Sequence, residues 1–332
     1  MPLTRRRAQV AMTGWLLAPS MVPAETAWPI KSVRLVVPYA PAGATDLVAR
    51  MLAPELTAAF GQPFVVDNRP GGGAIIGTAE VAKAAPDGYT LMVGTIGTHA
   101  IGPALFPRLS YDPIKDFTAV SMVAATGNVL VMNPAKARER GIASVHDLVR
   151  FATANPGRLN MASAGNGTSI HLAGELFKQM TRTFMVHIPY RGSGPALLDL
   201  VAGSVDVMFD AVPSSIAHIR AGRLLPLAVT PSHRVPVLQD VPTVQEAGGP
   251  QLRGYEVSSW AGVLGPADMP PDVTARLQRE LARIVRASPL KDRWTAEGWL
   301  SAGGTSAEFT SLIAAEVKKW GRVVRAAGVR PD

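Results

Sequence analysis

Two stretches of this 332-residue chain combine glycine, small residues and hydroxyls in a way suited to holding a small anion. The first is residues 38–46, where Tyr39, Ala42, Gly43, Thr45 and Asp46 lie between a β-branched run and a helical pattern. The second is residues 163–169, where Ser163, Ala164, Gly165, Thr168 and Ser169 occupy the same kind of junction. Small residues let backbone approach a ligand, and a helix start presents free N–H groups at a positive dipole end. Thr45, Thr168 and Ser169 can cap the helix or turn a hydroxyl to a bound anion. In open α/β sheets ligands sit beyond the carboxyl ends of the strands, where both junctions fall. Either loop alone reads as an ordinary strand–helix connection; one in each half of the chain points to a shared site.

Other candidates for chemistry are weaker. Gly71, Gly72, Gly73 and Gly77 do not give the G-x-G-x-x-G spacing of a dinucleotide site, and the chain holds no Gly-x-Ser-x-Gly elbow and no Gly-Lys-Ser/Thr phosphate loop. His171 and Glu175 share a helix face, but the sequence identifies no third ligand, so no zinc is expected. Asp206 and Asp210 flank an apolar run; Asp206 reads as a turn or surface residue, while Asp210 falls where a strand opens into the cleft. Asp210 either tunes which ligands are accepted or caps the following turn. Without cysteine there is no disulfide or thiolate nucleophile. No cofactor is expected. The competing reading, a secreted hydrolase or lyase, would have to use Asp46, Asp210 or His171.

The elements that position these residues alternate. Strand patterns at residues 33–37, 64–66 and 89–93 are separated by helical patterns at 45–60 and 73–85, which implies a mostly parallel sheet with helices on both faces. The alternation restarts after residues 129–131 with strands near 159–161, 185–188, 205–209 and 225–229. A further strand at 258–264 precedes helices near 271–287 and 307–326. The expected architecture is a discontinuous first lobe, residues 28–126 plus 258–332, interrupted by a second lobe, 127–257, with crossovers at 124–129 and 256–259. Pro54 inside the first helical pattern must either kink it or split it.

At the N-terminus Arg5, Arg6 and Arg7 precede an apolar run over residues 8–22, and Val22 and Ala24 supply small residues at −3 and −1. This is the pattern of a cleavable secretory signal over residues 1–24, with the mature chain starting at Glu25 or Trp28. The three arginines account for three of the formal net charge of +8, leaving +5 on a chain cut after Ala24. Basic residues are dispersed and not interleaved with aromatics, which argues against nucleic acid as a partner.

Ordered segments through the chain resemble the tripartite tricarboxylate transporter substrate-binding family, the TctC or Bug receptors. They include Arg34-Leu35-Val36-Val37-Pro38, Ala44-Thr45-Asp46, Asp67-Asn68-Arg69-Pro70-Gly71, Pro86-Asp87-Gly88-Tyr89-Thr90-Leu91, Pro189-Tyr190-Arg191-Gly192 and Asp240-Val241-Pro242-Thr243. The resemblance implies a type II periplasmic-binding-protein-like fold and a monomeric periplasmic receptor. Such a receptor closes on a small carboxylate and delivers it to the permease subunits of a tripartite tricarboxylate-type transporter. A binding module for a membrane sensor would share these features. The resemblance places Tyr39, Ala42, Gly43, Thr45 and Asp46 on one wall of the cleft. On the other fall Ser163, Ala164, Gly165, Thr168, Tyr190 and Asp210, with Thr95 and Thr98 contributing from the third strand's loop.

Overall fold

The computed structural model describes residues 28–106 and 108–327, so the signal-peptide pattern lies outside the described residues. Ten strands follow in chain order: β1 (Val33–Val37), β2 (Phe64–Asn68), β3 (Thr90–Thr95), β4 (Phe117–Met132), β5 (Asn160–Ser163), β6 (Val186–Pro189), β7 (Val207–Ala211), β8 (Leu225–Val229), β9 (Ser258–Pro266) and β10 (Leu300–Ser301). Their β-branched and apolar runs are buried on both faces in β1, β3 and β7, as strands covered by helices on each side must be.

Two α/β lobes result. In the first, β2, β1 and β3 are parallel, and β9 joins β3 antiparallel. In the second, β6, β5 and β7 are parallel. The 16-residue β4 serves both lobes. Its first part pairs antiparallel with β9, from Phe117↔Pro266 to Gly127↔Ser258. Its last residues, Asn128 to Met132, run antiparallel to β7, and Val129 to Met132 also pair with β8. Each lobe is therefore parallel in its outer three strands, while the strands that join the lobes are antiparallel. Irregularities between Ala119 and Ser121 and between Met122 and Ala124 bend β4 as it leaves the first lobe.

The core follows the same plan. One apolar cluster centres on the first lobe (Leu35, Leu52, Val93, Leu281, Trp294) and another on the second (Val129, Leu200, Met208, Ile216). A third spans both, joining Leu264, Trp260 and Phe309 to Leu130, Phe177, Phe209 and Tyr255. The C-terminal helix Ser306–Ala327 feeds Phe309, Ile313, Trp320 and Val324 into it, a stripe at helical spacing. Each such side chain contributes about 1.5–3 kcal/mol by leaving water.

Helix Ala44–Phe60 is unbroken, with Pro54 on its exposed side, where water can serve the carbonyl that proline leaves without a donor. Asp206 is not a surface residue. It is buried, accepts the Asn160 N–H at 2.8 Å and pairs with Arg140 at 2.5 Å. Helix Val212–Arg220, absent from the sequence reading, follows β7 directly.

Candidate functional site

A cavity lies where the two lobes face each other. Its first wall is the junction after β1. Gly43 is the N-cap of helix Ala44–Phe60 and provides no side-chain cap, so the first N–H groups of that helix are left for another acceptor. The loop is held from behind. Asp46 is buried and accepts from Ala42 N–H (2.9 Å), Arg50 Nε (2.8 Å) and Asn68 Nδ2 (3.0 Å). Ala42 is in the left-handed region, at φ 66°. Tyr39 Oη lies 3.1 Å from Thr95 Oγ1, and Thr98 Oγ1 accepts from the Thr95 N–H at 2.9 Å. Burial pushes the Tyr39 phenol up to about 12 and the His99 imidazole, 2.7 Å from Thr98 Oγ1, down to about 3, so both groups are neutral near pH 7.

Three further helices open onto the cavity from the second lobe. Thr168 caps helix Ser169–Thr181, accepting from His171 N–H at 3.1 Å and donating to the Gly165 carbonyl at 2.8 Å. Helix Ser193–Ala202 starts after Gly192, and helix Val212–Arg220 after Ala211; neither has a side-chain cap. Ala44, Thr45, Thr168, Ser169, Ile170, Ser193 and Ala211 all line the cavity, so four helix N-termini converge on it. Thr126, Ser259, Trp260, Ala261 and Trp299 close it on the side where the strands are shared. Among the described residues that line it there is no Asp, Glu, Lys, Arg or His. The positive potential comes from oriented peptide groups, each helix N-terminus counting as roughly half an elementary charge.

The lobes touch at the rim of this cavity. Ala40 N–H donates to the Arg191 carbonyl across the gap at 2.9 Å. A Cβ on Gly194 would collide with the Pro41 carbonyl oxygen, and one on Gly73 with that of Asn166. The cavity leaves about 50 Å³ to the centres of water-sized molecules, which restricts an occupant to a small molecule.

Of the residues expected from sequence, Tyr39, Gly43, Thr45, Thr95, Ala164 and Thr168 line this cavity. Asp46, Thr98 and Ser163 are buried behind the wall, and Ala42 is exposed on the loop outside the cavity; Ser163 Oγ accepts from Gly165 N–H at 3.1 Å and lies 2.6 Å from His187 Nε2. Gly165 and Tyr190 line a neighbouring cavity of about 330 Å³ instead, and Tyr190 Oη donates to Asp199 at 2.6 Å. Asp210 does not open into the cleft: it is the penultimate residue of β7, fully buried, and accepts from Ser193, Ser214 and Ser215. Sequence reasoning missed Ser193, Ala211, Thr126, Ser259 and Trp299. The usable signal was Gly192-Ser193 after β6, the same strand–glycine–hydroxyl–helix order as the two recognised loops.

A third partner for His171 and Glu175 does exist. His187 on β6 brings a ligand atom to within 4.8 Å of both. The two imidazoles, however, stack 4.2 Å apart and 18° from parallel, so their in-plane lone pairs do not converge on one point. Lys178 holds Glu175 at 2.6 Å. The cluster braces the second loop, Gly167 N–H donating to His171 Nδ1 at 3.3 Å.

Two α/β lobes, joined by shared strands and shut over a cavity ringed by helix starts, define a two-domain solute-binding protein. The sequence model of the tripartite tricarboxylate transporter family receptors, TctC, matches residues 48–329, and the chain belongs to this family. It is 40% identical over 298 residues to a UPF0065 protein from the tcbD-tcbE intergenic region of a Pseudomonas species, covering 90% of this chain and 87% of that one. Protein BugT of Bordetella pertussis is 35% identical over 334 residues, 99% of each chain. Among solved structures, a Rhodopseudomonas palustris protein with adipate superposes with a TM-score of 0.87 at 36% identity, over 92% of this chain and 100% of that one. MatC of the same organism, with bound malate, gives 0.84 at 33% identity over 90% and 100%.

Proposed function

We propose that the protein is an extracytoplasmic receptor that captures a small carboxylate between its lobes for the permease subunits of a tripartite tricarboxylate-type transporter, and that it is not an enzyme. One observation carries this reading: four helix N-termini, three without side-chain caps, meet at a cavity whose described lining holds no charged side chain. Such a site stabilises an anion by backbone N–H groups and dipoles, and excludes a cation. The adipate and malate held by the two related structures fit the same chemistry.

Binding without turnover is favoured by where the protons are committed. Thr168 donates to Gly165, Ser193 donates to Asp210, and Asp46 is saturated by Ala42, Arg50 and Asn68. Thr168 and Asp46 supply no nucleophile–base pair, and the carboxylate beside Ser193 is already shared by Ser214 and Ser215, which lowers its strength as a base. The ligand is held by Gly43, Thr45, Thr95, Ala164 and Thr168, with Tyr39 and Ser193 completing the walls. The lobes comprise residues 28–126 with 258–332, and 127–257, and they move about the shared strands. The secretory pattern at residues 1–24 supports export to the periplasm, where the receptor acts as a monomer.

Mass spectrometry of ligand released from freshly purified protein tests the reading. Stoichiometric, chemically unchanged carboxylate is the expected result; a cationic ligand, or conversion of added acids, would overturn it. N-terminal sequencing of exported protein is expected to start at Glu25 or Trp28.

A further inference from the structure

Among the described residues that line the cavity, Ser193 is the one whose hydroxyl hydrogen is drawn away from it by a buried carboxylate. It is the first residue of its helix, lines the cavity, and donates to Asp210 Oδ1 at 2.6 Å. Oδ2 of Asp210 takes two more hydroxyl protons, from Ser214 at 2.5 Å and Ser215 at 2.8 Å. No ion pair to Asp210 is found among the described residues, and neither Ser214 nor Ser215 lines the cavity. The carboxyl is thus solvated by three serines supplied by two helices. Burial pushes its pKa up, and the three hydroxyls and the Ala211 N–H pull it back.

A serine hydroxyl has one hydrogen and two lone pairs. With the hydrogen on Asp210, Ser193 can offer the cavity lone pairs only. A ligand carboxylate oxygen placed there would meet like partial charge. A ligand O–H or N–H placed there would find an acceptor strengthened by the hydrogen bond that Ser193 donates to Asp210, since hydrogen bonds in a chain polarise one another. The helix starts on either side still demand an anion. A ligand that satisfies both must carry a hydrogen-bond donor close to a carboxylate.

We infer that Ser193, with its proton fixed by Asp210, makes the receptor select carboxylates bearing a hydroxyl or ammonium group next to the acid over their unsubstituted counterparts. This rests on the carboxylate reading above and goes beyond it by naming the class. Ser193 is the selecting residue; Asp210 acts through it as a positioning residue.

The test is calorimetric affinity for matched sets that differ only at that position: succinate, malate and aspartate; propionate, lactate and alanine. Wild-type protein is expected to bind a hydroxy or amino member at least about tenfold more tightly than the plain member of its set, tenfold being 1.4 kcal/mol. Ser193→Ala is expected to shrink that ratio to within about threefold, a single lost hydrogen bond. Asp210→Asn, whose amide can donate back to the serine, is expected to shrink it as well in protein that melts cooperatively. A plain acid bound as tightly as its substituted partners, or a ratio that Ser193→Ala leaves unchanged, would overturn the role of Ser193 alone. Failure of every acid in the panel to bind would sink the carboxylate reading and this inference with it.

Discussion

The two edges along which the lobes meet are built from opposite materials. At the rim, contact among the described residues is made by glycines and one backbone hydrogen bond, Ala40 N–H to the Arg191 carbonyl. On the far side β4 belongs to both sheets, and Thr230 pins the crossing: its Oγ1 accepts from Asn128 N–H at 2.9 Å and donates to the Val257 carbonyl at 2.6 Å. Beside the crossing Thr126 Oγ1 reaches the Gly298 carbonyl within the first lobe, and Arg220 reaches the Ala296 carbonyl between the lobes. The rim buries little that would be missed in water; the strand side buries hydrogen bonds that would be. An interface of the first kind is strengthened when a ligand adds its own contacts to both walls. One of the second kind holds whether or not ligand is present.

The sharpest way to break this contrast is Gly194→Val. A Cβ at position 194 cannot coexist with the Pro41 carbonyl, so the rim stays apart. Affinity for the carboxylate is expected to fall on the order of 100-fold, because the closed, binding-competent state is depopulated. The melting temperature should stay near wild type, since no core contact is lost. Calorimetry beside thermal melting reads both; unaltered affinity would mean that the rim contact is not part of binding.

Thr230→Val attacks the other edge and should invert the result. It strands a buried N–H and a buried carbonyl, costing about 1–3 kcal/mol each. Urea unfolding should register the loss, with affinity changed by no more than a few-fold. A larger effect on affinity than on stability would erase the distinction between the edges.

Asp46→Asn is a milder probe of the rim's support. The carboxylate organises the first loop through Ala42 N–H, Arg50 and Asn68, but Arg50 is half exposed and its pair correspondingly screened. A stability loss of about 1 kcal/mol and a several-fold weaker affinity are expected. Equal affinity would show that the loop holds its shape without the charge.

The smallest effect is optical. Trp260 and Trp299 line the cavity from the strand side, so ligand should shift tryptophan emission modestly, and Trp299→Phe should reduce the shift. An identical shift in the variant would assign the signal to other tryptophans.

How far the sequence led depended on the range of the interactions involved. β1, β3 and β8 were legible because short apolar runs sit between glycine and proline turns. β4 was recognised only at Val129, Leu130 and Val131: its earlier residues, Ala119, Ser121, Ala124, Ala125 and Gly127, are small and lack alternation. They form a strand because β9, more than a hundred residues later, pairs with them. Helix Val212–Arg220 hid behind Pro213, Ser214 and Ser215, which read as a turn although proline suits a helix's first turn. The two recognised loops announced themselves by glycine beside hydroxyls within a few residues. Ser193 also follows a glycine, but what sets it apart is a carboxylate 17 residues further along the chain. Asp210 was placed near the right strand end but facing the wrong way, and only the three serine contacts reveal its direction.

The double membership of β4 also bears on the order in which the molecule can assemble. β3 pairs on one side with β1 and on the other with β9, whose residues 258–266 follow the entire second lobe. A chain emerging from its N-terminus therefore holds the beginnings of the first lobe with an open sheet edge until the second lobe has been made. The second lobe has β4 through β8 in one continuous stretch and can form first. Pairings across so many residues form slowly, because loop closure precedes any gain from contact. The lobe that begins the chain is thus the last to be finished, and its unpaired edge remains open to other chains for as long as that takes.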